Sequence, residues 1–306
     1  MQNLVSIIMN CKDGEKYLLD SLNSILNQTY QNWELIFVDN NSIDNTKKIF
    51  FNFKDSRFKY FYLEKTLPLG MARQYAYQKC TGKFIAFLDV DDIWLKTKLE
   101  KQILLFDNSE VGLVICNSIY FSSHKSKVLY RKKPFTGYAF YKLLENYYIS
   151  LETLVCKKKY LDQISFKFNT EYSMISDYEL CIRLSTISKL DYYDEILAKC
   201  RIHKDSESSK KILLIYQEKS SFIKKLVDEG YGEKYDNFNI CKKNLLHKLE
   251  VTKIIYKLES GIGKIEILKD MKNKLLIFDI VIFILLIIPF SKYLIKYYRD
   301  SFSVRV

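Results

Sequence analysis

The chain reads as an α/β protein: a mostly parallel central sheet with helices on both faces, followed by a C-terminal helical region. Three observations predict this. Short apolar runs at 4–9 (LVSIIM), 34–38 (ELIFV), 58–62 (FKYFY) and 84–88 (FIAFL) alternate with helix-patterned segments, the rhythm of strands joined by crossover helices. Polar clusters follow three of the four runs, NCKDGE, DNNSIDNT and DVDD, and ligands of such sheets bind beyond the carboxyl ends of the strands. From about residue 204 the character changes: a polar connector, KDSESSKK, leads into long stretches with Leu, Ile and Lys at helical spacing.

In the first helix Leu18, Leu22, Ile25 and Leu26 fall on one face. A second helix begins near Asp44. LPLGMARQYAYQKC opens with Gly70 and places Arg73 one turn inside a third, and IWLKTKLEKQILLF (93–106) reads as a fourth. Residues 111–131 read as a strand pair with a polar turn near 122–127. A helix-like stretch, a strand at 151–156, a helix around 177–187 and a strand near 190–199 follow. Only three Pro and nine Gly leave little room for flexible linkers. The expected domains are 1–203 and 204–306.

At 306 residues, with 48% apolar and 27% charged, the composition is globular. The net charge of +12 is divided as +5 over residues 1–203 and +7 over 204–306, so the basic excess concentrates in the C-terminal third. A basic surface suits nucleic acid, an anionic membrane or a phosphate-bearing substrate. A nucleic-acid module needs basic and aromatic residues interleaved on one face. Here the 24 Tyr and 20 Phe fall largely at apolar periodic positions, where core packing accounts for them, and no nucleic-acid partner is expected. Seven scattered cysteines, odd in number and without CxxC spacing, argue against a disulfide framework or a zinc site and for a reducing compartment. LVSIIM is too short for a signal peptide, so the main body is expected in the cytosol.

Residues 275–290 (LLIFDIVIFILLIIPF) hold fourteen apolar residues, one Asp and one Pro, with Lys269, Lys272 and Lys274 before them and Lys292, Lys296 and Arg299 after. As a helix they span ~24 Å, short of the ~20 residues a crossing needs. Asp279 near a bilayer centre would cost ~2.5–3.5 kcal/mol. Basic flanks on both sides suit two cytosolic ends, so the favoured reading of about 275–298 is a helix lying in the inner leaflet surface. A span and a buried soluble helix are the alternatives.

DVDD places Asp89, Asp91 and Asp92 within four residues at a strand tip. Like charges at that spacing repel and raise one another's pKa unless a positive charge sits among them. Capping of the helix that follows explains one, at most two. A divalent cation, Mg²⁺ or Mn²⁺, takes one or two carboxylates and leaves its other positions to water and substrate phosphates, which points to a diphosphate substrate. Asp39, Asn40 and Asn41 suit a nucleotide's base and ribose, or a turn before the next helix. Arg73 can face phosphate or make a surface ion pair.

VSIIMNCKDGEKYLLDSLNSILNQTYQNWELIFVDNNSIDNT and LGMARQYAYQKCTGKFIAFLDVDDIWLKTKLEKQ together resemble glycosyltransferase family 2 over residues 4–102, with a weaker continuation through SDYELCIRL (176–184) and RIHKDSES (201–208). The resemblance implies a Rossmann-like GT-A fold and inverting sugar transfer from a nucleoside diphosphate, UDP-sugars favoured. It implies that Asp89 and Asp91, with Asp92 adjacent, hold the cation and the donor's ribose and diphosphate. His203 would contact the metal or diphosphate, and Asn10, Lys12, Asp39, Asn40 and Arg73 would line the donor site. Asp177 falls at the position of the catalytic base, which the chemistry requires because a sugar hydroxyl attacks only when a carboxylate takes its proton. A helix cap is the structural alternative for Asp177.

The chain departs from the family's pattern where the base is read. Met9, Asn10, Cys11 and Lys12 stand where a Pro and a stacking Tyr are common, Asp39-Asn40 replaces Asp-Asp, and Ser176 precedes Asp177 where an acid is common. The implied enzyme is peripheral or monotopic on the cytoplasmic face of the inner membrane. It acts on a glycan or glycolipid acceptor, as in lipopolysaccharide synthesis. The rivals are nucleotidyl transfer on the same fold and a relative that binds sugar nucleotide without turnover.

Overall fold

Strands buried on both faces need apolar side chains throughout, and the first two runs meet that need. In the computed structural model, which describes residues 3–165, 168, 171–203 and 211–259, every residue of β2 (Trp33–Asp39) is buried, and every residue of β1 (Val5–Cys11) except Asn10. The edge strand β3 (Phe58–Tyr62) is only partly covered, and β4 (Phe84–Phe87) is wholly buried. The remaining strands are β5 (Ile93–Trp94), β6 (Val111–Phe121), β7 (Ser126–Val128), β8 (Val155–Lys157) and β9 (Lys189–Arg201). They form one sheet in the order β3-β2-β1-β4-β8-β6-β9-β5, with β7 paired to β6.

The first four strands run parallel, β1 between β2 and β4 and β3 outside β2. The three-residue β8 is the seam, antiparallel to both β4 and β6. Beyond it β6 and β9 are parallel, and β5 closes the edge antiparallel to β9. The helices of this part are α1 (Leu18–Leu26), α2 (Thr46–Phe51), α3 (Leu69–Gln78), α4 (Lys98–Leu104), α5 (Phe140–Glu145), α6 (Lys158–Leu161) and α7 (Ser176–Leu184). On α1 the expected face is buried, with Leu18, Leu22 and Ile25 inaccessible and Leu26 packed partly against the core.

Two segments differ from the sequence reading, both through tertiary pairing. Ile93 and Trp94 open β5 rather than a helix, because they pair with Lys199 and Ala198 of β9. The buried Trp94 indole donates to the Glu152 carbonyl at 2.9 Å. Helix α4 then starts at Lys98 behind Thr97, so none of the three DVDD carboxylates caps it. Residues 151–153 form a 3-10 turn, and the strand expected at 151–156 is confined to β8.

The chain divides into two compact units, Met1–Leu143 with Tyr148–Ser206 and Leu144–Tyr147 with Glu207–Val306. The second contains α8 (Ile212–Asp228), α9 (Tyr231–Lys234) and α10 (Phe238–Glu259), packed through Phe222, Ile223, Leu226 and Phe238. Gly230 turns the chain between α8 and α9 at φ +78°, a left-handed conformation that favours glycine. Among the described residues no helix is long and apolar enough to cross a membrane. The apolar segment at about 275–298 lies outside the described residues, as do residues 204–208 of the RIHKDSES block.

A buried carboxylate pins β1, β2 and the approach to β4 together. Glu34 accepts hydrogen bonds from Ser6 Oγ (2.5 Å), Thr81 N (2.8 Å) and Thr81 Oγ1 (2.9 Å), and pairs with Lys59 at 2.5 Å. Burial opposes its charge, but the bonds from Lys59, Ser6 and Thr81 outweigh it and hold the carboxyl below its ordinary pKa. A depressed folded-state pKa gives stability that is present above the unfolded value and lost as pH falls through the acid range below it. Glu34→Ala is expected to lower stability by about 2–4 kcal/mol in urea unfolding at neutral pH, with a smaller loss at acid pH.

Candidate active site

The polar ends of β1 and β2 interlock. Asp13 and Asn41 sit at φ 52° and 64°, a left-handed conformation that short polar side chains tolerate. Asp13 N donates to Ser42 Oγ at 2.9 Å, and Asp13 Oδ1 accepts from Ile43 N at 2.8 Å. Gly14 N donates to Thr46 Oγ1 at 2.8 Å, and a Cβ on Gly14 would lie 2.4 Å from Cys11 Sγ. Glu15 N donates to Asp44, and Asn45 donates to the Glu15 carboxylate through its backbone and side chain.

Behind this lock Asp39 is buried, accepting from Tyr60 Oη at 2.5 Å and Ser42 N at 2.8 Å. Asn40 exchanges two hydrogen bonds of 2.8 Å with the backbone of Leu67. The exposed Lys12 donates to Thr66 at 3.0 Å. Both Asn10 amide atoms are buried without a hydrogen-bond partner among the described residues. Asn10 lies two residues past the β1–β4 register pair Ile8↔Phe87, as Asp89 does. These contacts fix the segment that enters α3 and so aim Arg73.

Arg73 is buried. Its Nη1 donates to Ser176 Oγ at 2.8 Å and lies 3.9 Å from Asp177 Oδ1, while Nη2 lies 3.6 Å from Asp89 Oδ1. One guanidinium thus spans the β4 tip and the first turn of α7. Asp177 is the second residue of α7, and Ile175, not Asp177, occupies the cap position. Its side chain is partly open, at 23%. Asp89 is pushed up to about 6, first by burial and then by Asp91, Asp177 and Glu152, against the lowering effect of Arg73. Its side chain remains 43% exposed, and solvent on that side screens part of the effect.

Asp91 and Asp92 point to different partners. Asp91 Oδ2 lies 2.9 Å from His203 Nε2, and the His203 ring packs 5.1 Å from the Tyr17 ring. Asp92 is buried and accepts from Arg201 N at 2.9 Å. Its carboxylate joins Glu152 and Cys200 in a cluster whose polar atoms lie within 4.8 Å of one another. Burial, followed by the Glu152, Asp91 and Asp89 charges, raises the Asp92 pKa well above its ordinary value, and burial raises Glu152 too. Nearby Lys98, buried over the Trp94 ring at 4.3 Å, is lowered to about 8 by burial. Among the described residues Asp92, Glu152 and Cys200 are the ligand-type side chains spaced closely enough to hold a metal ion.

Every candidate residue therefore lies at the carboxyl edge of the sheet or at the entry of α7, but in two sets. Arg73 links Asp89 and Asp177, while Asp91 meets His203 and Asp92 meets the Arg201 backbone. Asn10, Lys12, Asp39 and Asn40 form the neighbouring edge. The sequence reading missed Arg201. Its Nε donates to the Asp91 carbonyl at 3.0 Å, its Nη2 pairs with Asp20 at 2.9 Å, and its guanidinium lies over the rings of Tyr17 and Phe121. The signal was present, since Arg-x-His at a strand end puts both side chains on one face. Ser21 completes the clamp, its hydroxyl placed 2.6 and 2.8 Å from the Val90 and Asp92 carbonyls.

The profile of Glycosyl transferase family 2 matches residues 6–166. The chain is 36% identical over 165 residues to the UDP-Glc:alpha-D-GlcNAc-diphosphoundecaprenol beta-1,3-glucosyltransferase WfgD of Escherichia coli, covering 54% of this chain and 64% of that protein, just under two thirds of its length. It is 31% identical over 238 residues to an uncharacterized glycosyltransferase of Rickettsia typhi, covering 74% and 73%. The mannosyltransferase PcManGT of Pyrobaculum calidifontis, solved with GDP-Man and Mn²⁺, superposes with a TM-score of 0.64 at 14% identity over 99% of this chain and 87% of that one. The architecture is the GT-A fold.

Removing the clamp has a measurable cost. Arg201→Ala is expected to lower stability by about 1–3 kcal/mol in urea unfolding and to expose residues 89–92 to faster hydrogen exchange, with Arg201→Lys intermediate.

Proposed function

We propose the following reaction for the chain, which belongs to glycosyltransferase family 2. One sugar moves from a nucleoside diphosphate, uridine diphosphate foremost, to a hydroxyl of a glycan or lipid-linked acceptor in cell-surface polysaccharide or lipopolysaccharide synthesis, with inversion at the anomeric carbon. The observation that carries the reading is the Arg73 bridge, with Asp89 at 3.6 Å and Asp177 at 3.9 Å. It sets a strand-tip carboxylate suited to the donor beside a helix-borne carboxylate able to take a proton.

In this reading Asp177 accepts the proton of the acceptor hydroxyl as that oxygen bonds to the anomeric carbon. The bond from that carbon to the diphosphate breaks on the opposite face, so a single displacement inverts the centre. Asp89, Asp91 and His203 would hold the cation. Two carboxylates and an imidazole make an oxygen and nitrogen donor set that suits Mn²⁺ or Mg²⁺, and burial first, then the Asp91, Asp177 and Glu152 charges, raise the Asp89 carboxyl despite Arg73. When bound, the cation offsets the charge developing on the leaving diphosphate. Asp92 contributes by holding the loop through Arg201. Lys12 meets the donor as an exposed cation, and Asn10, Asp39 and Asn40 contribute chiefly by holding the strand ends and the loop around the nucleotide.

The E. coli relative supports the uridine donor and a lipid-linked acceptor by the substrates in its name, and the Pyrobaculum structure supports a cation. The proposal includes peripheral or monotopic attachment to the cytoplasmic face of the membrane through about 275–298. Its support is the apolar, basic-flanked sequence there.

A panel of sugar nucleotides, scored for diphosphate release with and without Mn²⁺ and a membrane glycolipid extract, tests the reaction. Asp177→Asn is expected to reduce turnover about 10²–10⁴-fold while donor binding persists, and Asp91→Asn to remove the response to Mn²⁺. Pyrophosphate release from a nucleoside triphosphate, or full turnover in Asp177→Asn, would refute the reading. Protons on Asp89 compete with the cation, so Mn²⁺ affinity is expected to fall about tenfold from pH 7.5 to pH 5. In Asp89→Asn, Mn²⁺ titrated by electron paramagnetic resonance is expected to bind weakly at both values.

A further inference from the structure

The β6–β7 hairpin and the segment after it form a surface that the transfer reaction does not use. Between Glu110 and Glu145 the chain has no acidic residue. Within that stretch His124, Lys125, Lys127, Arg131, Lys132 and Lys133 are all exposed. Among the described residues none of the five Lys and Arg side chains is ion-paired. Beside them Phe135 (47%) and Tyr138 (59%) are exposed, the Tyr138 hydroxyl donating to Glu110 at 3.0 Å.

The position of this surface matters. In the sheet Ser126 lies opposite Phe121, and Phe121 opposite Arg201. Two strand spacings, about 10 Å, therefore separate the hairpin from Arg201, and His203 two residues further along meets Asp91. Ile202, between them, is 48% exposed.

We propose that this face seats the catalytic unit on an anionic membrane surface. The five cations meet lipid headgroups, and Phe135 enters the interface. Charge complementarity selects the occupant: an acid-free stretch of unpaired cations beside the exposed Phe135 matches an anionic bilayer. A simpler account is available for part of it, because lysines on an edge strand block edge-to-edge pairing. That account covers Lys125 and Lys127 on and beside β7. It does not cover Arg131, Lys132 and Lys133, which lie outside any strand, nor the exposed aromatic residues. The docking stands without the transfer reaction. Its use, presenting a lipid-linked hydroxyl to Asp177, rests on the reaction proposed above.

The test uses the full chain and vesicles of phosphatidylcholine, with or without about one third phosphatidylglycerol. One variant combines Lys125→Gln, Lys127→Gln, Arg131→Gln, Lys132→Gln and Lys133→Gln. A charge-matched control combines Lys47→Gln, Lys48→Gln, Lys54→Gln, Lys65→Gln and Lys79→Gln, all exposed positions elsewhere in the same unit. Co-sedimentation with the anionic vesicles is expected to fall at least about tenfold in the first variant and by less than about threefold in the control, and to weaken with salt. Trp33 and Trp94 are buried, so Phe135→Trp supplies a local probe. Its emission is expected to shift to the blue and to be quenched by brominated acyl chains in anionic vesicles only.

Equal losses in both variants would overturn the proposal, as would a Phe135→Trp probe that stays in water while the protein sediments. So would patch-dependent binding to soluble polyphosphate without binding to vesicles. None of these readouts involves sugar transfer, so a failure of the docking is distinct from a failure of the reaction.

Discussion

The Arg73 guanidinium holds the candidate site together. A buried guanidinium without partners would cost several kcal/mol, and this one is met by Ser176, Asp89 and Asp177. Because those partners belong to the β4 tip and to α7, the sheet and a helix distant in sequence are held in one arrangement. The same cation restrains two carboxylates that would otherwise repel. Its own placement is set further back, where Asn40 and Lys12 brace Leu67 and Thr66 just before α3 begins. The end of β2 and the proposed base are therefore coupled through one side chain.

Three carboxylates within four residues persist because each has its own partner. Asp89 faces Arg73, Asp91 faces His203, and Asp92 is buried against the Arg201 backbone. The crowding that looks like one acidic cluster in the sequence resolves into three separate pairings. Asp89 and Asp91 remain accessible for a ligand, whereas Asp92 belongs with Glu152 and Lys98 to the interior that holds the loop. Two acids buried together retain a proton more strongly than either would alone, so this interior carries less charge than its residues suggest.

The parallel half of the fold was legible because its strands are short, mostly apolar runs, three of the four ending in a polar cluster. The β5 strand was not, since Ile93–Trp94 is a strand only by virtue of a partner far along the chain, and the strand read at 151–156 is confined to Val155–Lys157. The site divides the same way. DVDD, Asp177 and His203 announced themselves by residue type and by resemblance. Arg201 was visible as Arg-x-His but had no reason to stand out until Asp91 and Asp20 were seen around it. Asp92 stood out in DVDD, but its neighbours Glu152 and Cys200 left no local trace, because they come from segments far along the chain.

The most direct test of this account is the pH dependence of Mn²⁺-stimulated sugar transfer in Arg73→Met and Arg73→Lys beside the unmodified chain. Arg73 lowers the Asp89 pKa from where burial and the neighbouring acids would set it. Removing the cation should move the acid limb of the profile to higher pH and cut the maximal rate, and Arg73→Lys should recover part of both. An Arg73→Met enzyme with an unchanged acid limb and an unchanged rate would contradict the claim that this guanidinium joins the donor carboxylate to the base.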